Sequence, residues 1–399
     1  MPRSIARAAA VTALTSDRTK PSVAFAPPLI GSDEIAEVIA TLESGWLTTG
    51  PRVAAFERAF AEYADAAHAV ALNSCTAALH LSLLAAGVRQ GDAVVTTPLT
   101  FCATANTIIH AGARPVFADV DPQTGNLDPA AAADAFSPAT RALVPVHFAG
   151  RPVDVVAFHD LARRHSVPVI EDAAHCVEGI ADGHKVGSTA DFTCFSFYAT
   201  KNLTTGEGGM VTTNDPRAAA FIRTASLHGL SRDAWTRYAP GGRGDYDVVM
   251  AGFKYNMMDL QAAIGLHQLA RLEERLARRE AIWAAYDRAL AKLPLRLPLT
   301  TLDGDRHARH IYCVLVDERA AGMSRDVLQQ RLAARGVSTS IHFRALHLQP
   351  YYQERFGYAR GMFPAAEAIS DATLSLPLSA AMTPETVDRV IEAVHDAFL

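Results

Sequence analysis

The most informative stretch of this chain, residues 195–209, reads Phe195-Ser196-Phe197-Tyr198-Ala199-Thr200-Lys201-Asn202-Leu203-Thr204-Thr205-Gly206-Glu207-Gly208-Gly209. It places one lysine, Lys201, between a short aromatic strand and a glycine-rich turn. Burial of an ammonium group is unfavourable unless the group is paired, and burial lowers the pKa of a lysine. A neutral lysine amine is a nucleophile that forms Schiff bases with carbonyl compounds. Lys201 is therefore the first candidate catalytic residue, and a lysine in a surface loop is the alternative.

The sequence around this stretch alternates between predicted strands and predicted helices. Short runs rich in Val or Ile predict strands at residues 93–97, 114–120, 142–146 and 167–170. Apolar residues at helical spacing predict helices near residues 35–42, 56–60, 77–86 and 155–165. Strands that alternate with helices at this spacing indicate an α/β fold, in which helices cover both faces of a mostly parallel sheet.

A different pattern follows residue 209. One long helical segment is predicted from about residue 257 to residue 290, and a strand at residues 311–316. Ser324 is the predicted cap of the next helix, and Thr383-Pro384 is typical of the start of a final helix. We expect an N-terminal extension at residues 1–30, a large domain at residues 31–265, and a connecting helix with a smaller α+β domain at residues 266–399.

The composition excludes several classes of protein. Of the 399 residues, 49% are hydrophobic and 20% are charged, as in a folded globular chain. The net charge of −5 is too small for a nucleic-acid or polybasic membrane surface, so we expect a small-molecule ligand or a second copy of the chain as partner. The odd number of cysteines, none in a CxxC pair, argues against a disulfide framework and a zinc site and favours the cytoplasm. No apolar run approaches the roughly 20 residues that span a bilayer.

Two acids follow the predicted strand at residues 167–170. Glu171 and Asp172 lie where the carboxyl edge of the sheet is expected, and open α/β sheets bind ligands at that edge. A buried carboxylate there requires a cation, which a protonated pyridine nitrogen supplies. The alternative is an aspartate that caps the next helix.

A third stretch has the properties of a phosphate site. It reads Asn73-Ser74-Cys75-Thr76-Ala77-Ala78-Leu79-His80 and leads small residues into a helix, whose first amides and dipole attract anions. An ordinary helix cap is the alternative. Phe101 follows a predicted strand, where it either stacks on a flat ring or fills the core. Taken together, the three stretches describe a site for a pyridine-bearing phosphate ester held by a lysine, which is pyridoxal 5′-phosphate (PLP).

The chain resembles the DegT/StrS family of PLP-dependent sugar aminotransferases, and most closely the members that act on UDP-linked 4-keto sugars. The resemblance rests on residues 45–51, 145–150, 171–175, 196–209 and 252–257. It implies the aspartate aminotransferase fold, fold type I, with a mostly parallel mixed sheet in the large domain and a smaller C-terminal α+β domain.

The resemblance also implies roles for individual residues. Lys201 forms the Schiff base with the cofactor and later moves a proton, and Asp172 pairs with the pyridinium nitrogen. Phe101 stacks on one face of the ring, and His175 lies near its other face or its hydroxyl group. The implied phosphate contacts are Cys75 through its backbone, Thr76, Ala77, Ser196, and Asn256 of a neighbouring subunit. The last contact implies a homodimer with two shared sites.

The implied reaction has two halves. L-Glutamate first donates its amino group to the cofactor, which then aminates a keto group of a nucleotide-linked sugar, at C4. Residues 341–352 suggest Arg344 and His347 as substrate contacts, and the loop at residues 237–243 suggests Arg243 as a diphosphate contact across the dimer. Ordinary polar residues and an exposed loop are the alternatives. Two other functions stay open, namely an aminotransferase for a 3-keto sugar or keto-cyclitol, and, more remotely, a regulatory protein that binds PLP without catalysis.

Overall fold

A computed structural model of the chain describes residues 22–231, 245–299 and 304–399. The strands are β1 His68–Leu72, β2 Ala93–Thr96, β3 Arg114–Phe117, β4 Thr140–Val144, β5 Ile170–Asp172, β6 Ile180–Ala181, β7 His184–Lys185, β8 Phe192–Ser196, β9 Gly209–Thr213, β10 Leu295–Arg296, β11 Tyr312–Val316 and β12 Thr373–Leu376. The helices of the first part are α1 Ser32–Glu43, α2 Pro51–Tyr63, α3 Cys75–Ala85, α4 Cys102–His110, α5 Pro129–Asp134, α6 Val155–His165 and α7 Pro216–Ser226. Those of the second part are α8 Asp259–Ala270, α9 Leu272–Leu290, α10 Glu318–Ala321, α11 Arg325–Ala334, α12 Pro350–Phe356, α13 Pro364–Ala372 and α14 Pro384–Ala397.

Seven strands form the main sheet, in the order β1-β9-β8-β5-β4-β2-β3. Two parallel bridges, Leu143 to Val169 and Val146 to Asp172, join its two halves between β4 and β5. Strand β9 is antiparallel to both of its neighbours, and the other pairs are parallel. The mostly parallel mixed sheet that the sequence predicts is thereby confirmed.

Helices cover both faces of this sheet. On one face, Phe56 and Phe60 of α2 pack with Phe158 of α6, and on the other, Leu79 of α3 packs with Ile222 of α7. The strands contribute side chains to the apolar clusters on both faces of the sheet, because successive side chains of a strand point to opposite faces. A strand buried on both sides is therefore apolar at nearly every position, as in the run Ala93–Thr96.

The second part of the chain contains a three-stranded antiparallel sheet, β10-β11-β12. Tyr286 of α9, Leu328 of α11 and Val390 of α14 belong to one apolar cluster against it. The predicted caps are confirmed, because Ser324 accepts a hydrogen bond from the amide of Val327 and Thr383 precedes Pro384 at the start of α14.

The single long helix predicted from about residue 257 to residue 290 is wrong. The structure has two helices, α8 and α9, which are separated at Arg271, where φ is −111° and ψ is 11°. The guanidinium of Arg271 binds Asp33 and Glu34 of α1 at this point. The break lets α8 pack against α1 and α2, whereas α9 packs against α14.

Residues 22–29 run along the C-terminal part of the chain. Val23 exchanges backbone hydrogen bonds with Gly336 and Ser338, and the carbonyl of Phe25 accepts one from Leu378. Residues 1–21 of the expected N-terminal extension lie outside the described residues. The proposed domain boundaries at residues 30 and 265 stay predictions.

In the described ranges, no helix is both long and apolar enough to cross a membrane.

Candidate active site

The residues singled out from the sequence converge at the carboxyl edge of the main sheet. Strand β5 ends at Asp172, β8 ends at Ser196, and β1 ends one turn before the start of α3. These strands run in the same direction, so the segments that follow them emerge at the same edge. Lys201 follows β8 by five residues and lies close enough to Asp172 for the charge of the carboxylate to act on its amine.

Asp172 is buried at this edge, with its carboxylate held by two donors. The hydroxyl of Thr104 donates to Oδ2 at 2.7 Å, and the amide of Ala174 donates to Oδ1 at 3.2 Å. The hydroxyl of Thr104 has one proton, which it donates to Asp172. In the 2.8 Å hydrogen bond between the two threonine hydroxyls, Thr100 is therefore the donor and Thr104 the acceptor. Burial raises the pKa of Asp172 above its usual value, although these hydrogen bonds and the charge of Lys201 act against the rise.

Lys201 is partly buried, and its amine has no hydrogen-bond partner among the described residues. Burial lowers its pKa to about 8, against the opposing effects of Cys75 and Asp172. A substantial fraction of this amine is therefore neutral near pH 8, as a nucleophile must be. The prediction of a lysine with a lowered pKa agrees with this geometry.

The start of α3 meets the start of β9 and the end of β8. Ser74 caps α3 by accepting a hydrogen bond from the Ala77 amide at 3.1 Å, which leaves the amides of Cys75 and Thr76 at the open helix end. The backbone of Gly209 lies directly against Ser74. A Cβ atom added to Gly209 would be 2.4 Å from the carbonyl carbon of Ser74, so only glycine fits at this position. Ser196 pairs with Gly209 across the strands. The predicted phosphate contacts Cys75, Thr76, Ala77 and Ser196 thus lie around one helix N-terminus.

His175 is buried beside the same edge. Its Nδ1 has no hydrogen-bond partner in the described part of the chain, and its ring stacks on Phe343 with centroids 5.8 Å apart. The ring of His310 lies 4.7 Å from it. Burial, together with the charge of Lys201, holds the pKa of His175 well below its usual range, so the ring is neutral.

Phe101 and Asn256 have different surroundings. Phe101 precedes α4 and is 60% exposed, so it does not fill the core of the chain. It belongs to the wall of an open cavity of about 680 Å³, which Arg344 and Tyr351 also line. Asn256 donates from its side chain to Thr49 of its own chain at 2.7 Å and is partly exposed.

The three suggested substrate residues, Arg344, His347 and Arg243, differ in their surroundings. Arg344 lines the open cavity beside Phe101, and its guanidinium donates to the carbonyl of Leu348 at 3.2 Å. His347 is fully buried and lies 2.9 Å from the carboxylate of Glu367, which argues against a contact between His347 and a substrate. The whole loop at residues 237–243, including Arg243, lies outside the described residues.

Several residues at the site escaped sequence analysis. Thr104 orients Asp172, and Asn202 and His310 form hydrogen bonds next to Lys201. Thr100 and Thr104 are a pair of hydroxyls at helical spacing in a buried segment, which is a usable signal. Nothing local in the sequence links His310 to a lysine more than 100 residues earlier.

The polar groups at this edge of the sheet match the ring nitrogen, the ring substituent and the phosphate of PLP. No Lys, Arg or His nitrogen among the described residues pairs with the buried carboxylate of Asp172, so the site lacks the cation that a pyridinium supplies. The free Nδ1 of His175 is a partner for a polar ring substituent, and the open end of α3 is suited to a phosphate. The residues present therefore fit the cofactor that the sequence predicts.

A lysine with a lowered pKa, a buried aspartate and a helix N-terminus at the edge of this sheet are the features of a PLP-dependent enzyme of fold type I. The model of the DegT/DnrJ/EryC1/StrS aminotransferase family matches residues 28–395. The chain belongs to this family.

Individual relatives agree with this assignment. The chain is 51% identical over 373 residues to the spore coat polysaccharide biosynthesis protein SpsC of Bacillus subtilis, a match covering 93% of this chain and 96% of SpsC. The putative sugar aminotransferase Spr1654 of Streptococcus pneumoniae, in its PMP form, superimposes with a TM-score of 0.88 at 32% identity, over 94% of this chain and 99% of Spr1654. Helicobacter pylori PseC, an aminotransferase involved in pseudoaminic acid biosynthesis, gives a TM-score of 0.87 at 29% identity, with coverages of 94% and 99%. The chain is thus a PLP-dependent sugar aminotransferase, and the predicted fold, cofactor and enzyme class are confirmed.

Proposed function

We propose that this enzyme transfers the amino group of L-glutamate to the keto group at C4 of a nucleotide-linked sugar. The observation that carries the proposal is that the amine of Lys201, whose pKa burial lowers to about 8, lies near the buried carboxylate of Asp172. One residue supplies an amine that is partly neutral near pH 8, and the other supplies a buried carboxylate for a cationic ring nitrogen.

The chain's own residues divide the work of the reaction. Bound PLP supplies an electron sink for the carbon that carries the amino group. Asp172, oriented by Thr104, stabilises positive charge on the ring nitrogen, and the amine of Lys201 takes up and returns the proton of the reacting carbon. The end of α3 and Ser196 hold the phosphate, while Phe101 and His175 contact the ring.

Three observations support the sugar substrate and its nucleotide. SpsC is named for spore coat polysaccharide biosynthesis and PseC for pseudoaminic acid biosynthesis, which favours a sugar made for a cell-surface polymer. The cavity of about 680 Å³ beside Phe101 has the size of a site for a large ligand, and Arg344 gives it a positive charge suited to a diphosphate. The resemblance of residues 341–352 to C4-aminating enzymes favours the C4 position.

The proposed active unit is a homodimer with two shared sites, to which Asn256 of each subunit contributes a phosphate contact. Helix α1 supports a second copy as partner, because Ile35, Ile39 and Leu42 on one of its faces are each about half exposed in the single chain. Val248 and Val249, which precede Asn256 by eight and seven residues, are exposed as well. Apolar patches of this kind mark protein interfaces.

We also propose a cytoplasmic location. All five cysteines are free, and three of them are buried, as expected for a chain that folds under reducing conditions.

Absorption spectroscopy of the PLP-loaded enzyme tests the donor and the acceptor separately. L-Glutamate alone is expected to remove the yellow absorbance within one turnover, and a UDP-linked 4-keto sugar is expected to restore it. If the yellow absorbance returns with a 3-keto sugar or a free keto-cyclitol, but not with the 4-keto nucleotide sugar, the proposed acceptor is wrong. If L-glutamate leaves the yellow absorbance unchanged, the proposed amino donor is wrong.

Lys201→Ala is expected to lower turnover at least about 1,000-fold while the protein stays folded, because no other amine replaces the nucleophile and proton carrier. Lys292→Ala, at an exposed lysine, is the control and should keep full activity. Steady-state rates and circular dichroism of the two variants check both statements. Near-normal turnover of Lys201→Ala would refute the assigned role.

A further inference from the structure

Four polar side chains form a cluster next to Lys201 that the reaction described above does not use. They are Glu178, Asn202, Arg279 and His310, here called the Asn202 cluster. Glu178 and Arg279 form an ion pair whose side chains are 0% and 3% exposed. Asn202 follows Lys201 directly in the chain, so its contacts act on the backbone that carries the catalytic amine.

The side chain of Asn202 has one possible orientation. Its Nδ2 donates to the Glu178 carboxylate at 2.7 Å and to the carbonyl of Ala308 at 2.8 Å, and both partners are acceptors. The amide oxygen therefore faces Nδ1 of His310 at 3.0 Å. Because an amide oxygen only accepts, Nδ1 of His310 must carry a proton. Burial, with the charge of Lys201, holds the pKa of His310 well below its usual range, so the ring is neutral and its Nε2 is unprotonated.

The segment that contains His310 is fixed against the wall of the active site. The amide of Ala308 donates to the carbonyl of Gly150 at 2.8 Å. A Cβ on Gly150 would lie 2.9 Å from the carbonyl oxygen of His175 and 3.2 Å from the nitrogen of His310, so the three backbones are in direct contact. Asn202 thus connects the Lys201 loop to a segment that already packs on His175.

A cavity of about 30 Å³ adjoins the same side chains. Lys201, Asn202, Arg275, Arg279 and Ser379 belong to its lining. Such a volume accommodates about one water molecule. Removing the carboxamide of Asn202 would enlarge this space directly beside the lysine.

We propose that Asn202 is a positioning residue for Lys201, which ties the lysine loop to residues 308–310, limits the access of water to the amine, and fixes His310 as the tautomer protonated on Nδ1. The proposal rests on the proposed catalytic role of Lys201. The charged and titratable groups that interact with Lys201 are Cys75 and Asp172, which favour its ammonium form, and the neutral rings of His175, His310 and His342. Burial outweighs the two acidic groups, so any added water should raise the lysine pKa.

The first test compares Asn202→Ala with Asn126→Ala in the full chain without cofactor. Asn126 is a matched control because its side chain likewise donates to a backbone carbonyl, that of Pro152 at 2.9 Å, and it accepts from the amide of Phe148 at 2.9 Å, but it holds residues 148–152 and does not contact the Lys201 loop. Acetylation of Lys201 by acetic anhydride, followed by peptide mass spectrometry across pH, reports the pKa of the amine. No sugar or amino donor is needed, so failure of the proposed function does not affect this result.

Asn202→Ala is expected to raise the pKa of Lys201 by about one unit, which lowers its labelling at pH 7.5 about eightfold. Asn126→Ala should leave the profile unchanged despite a similar loss of thermal stability. An unchanged profile in Asn202→Ala, or an equal shift in both variants, would overturn the proposal. If Asn202→Ala does not fold, Asn202→Ser is read by the same criteria.

The second test is nitrogen-15 NMR of the histidine rings, with the His310 signals assigned by their loss in His310→Gln. The wild-type chain should show a protonated Nδ1 and an unprotonated Nε2 between pH 6 and pH 8. Asn202→Ala should remove this preference. A proton on Nε2 in the wild-type chain would overturn the assigned orientation of Asn202 and with it the proposal.

Discussion

At the scale of residues, burial acts on the amine of Lys201 and the carboxylate of Asp172 in the same sense. It lowers the pKa of the lysine and raises that of the aspartate, so that each is moved towards its neutral form. A cationic ring nitrogen next to Asp172 reverses the effect on the carboxylate, because an opposite charge favours ionisation. We therefore expect Asp172 to be ionised when a cationic ring nitrogen lies beside it.

The lowered pKa of Lys201 predicts how the stability of the cofactor-free chain depends on pH. Between about pH 8 and the usual lysine pKa of about 10.4, the unfolded state holds a proton that the folded state lacks. The contribution of Lys201 to the free energy of unfolding therefore rises through this window and is unfavourable below it. Lys201→Met should be more stable than the wild type at pH 7, with a gap that shrinks towards pH 10. Urea denaturation of both chains measures the gap, and a gap independent of pH would contradict the lowered pKa.

The hydrogen bond from Thr104 to Asp172 leads to a second prediction. Thr104→Val keeps the shape of the side chain but leaves one buried carboxylate oxygen without its donor, which costs about 1–3 kcal/mol. We expect kcat/KM to fall about 10- to 100-fold and the affinity for PLP to fall with it. Thr107→Val is the control on the same helix, since Thr107 donates only to the carbonyl of Thr104 at 3.1 Å. Equal kinetics of the two variants would show that Thr104 does not orient Asp172.

The residues recovered from sequence differ physically from those that were missed. Lys201 and Asp172 each follow a recognisable apolar strand, so their position at a sheet edge is a local property. His310 acquires its place only when residues 308–310 pack on Gly150, and no local pattern encodes that contact. His347 is a different case, because its loop position fits a substrate contact and an ordinary polar residue equally well, and the hydrogen bond to Glu367 in the interior favours the second reading.

At the scale of elements, the junction between α1 and α8 depends on a buried acid. Glu34 is fully buried, and its carboxylate binds Arg271, Arg275 and Gln268. Removing one partner from a buried charge network leaves the others uncompensated. The apolar spacing of residues 257–290 does not reveal the break at Arg271, and the residues that Arg271 contacts there, Asp33 and Glu34, lie on a helix more than 200 residues earlier in the chain.

Glu34→Gln is accordingly expected to lower the free energy of unfolding by about 3 kcal/mol. Glu37→Gln, on the next turn of the same helix, is the matched control. Glu37 pairs with Arg52 at a partly exposed site, where an ion pair contributes at most about 1 kcal/mol. Urea denaturation at pH 7 measures both changes. A loss in Glu34→Gln no larger than that in Glu37→Gln would show that the buried network does not hold the junction.

At the scale of the whole molecule, shared sites predict complementation between two inactive variants. In a mixed dimer of Lys201→Ala and Asn256→Ala subunits, one site carries both substitutions and the other carries neither. Random mixing gives half mixed dimers, each with one intact site, so the mixture should regain about a quarter of wild-type activity. Mixing after mild denaturation and refolding, followed by an activity assay, checks this. Recovery no greater than the mean of the two variants would argue against shared sites.

The alternation of strands and helices in the sequence predicts the α/β fold class. It does not predict the order of the strands in the main sheet. Strand β9 lies between β1 and β8, so it joins segments that are more than 100 residues apart in the chain. The face of α1 that carries Ile35 and Ile39 was correctly predicted as a helical stripe, yet it lies at the surface of the single chain. Only contacts between distant elements, or between subunits, decide such features.

The path of residues 22–29 has a consequence for synthesis on the ribosome. Val23 pairs with Gly336 and Ser338, and Phe25 with Leu378, so residues 23–25 lack these backbone partners until residues 336–378 have been made. At about 5–20 residues per second, that delay is on the order of 15 to 70 seconds. Meanwhile the central sheet can form first. Residues 23–25 then dock in a late step, which leaves this short segment open to proteases or chaperones while residues 336–378 are being made.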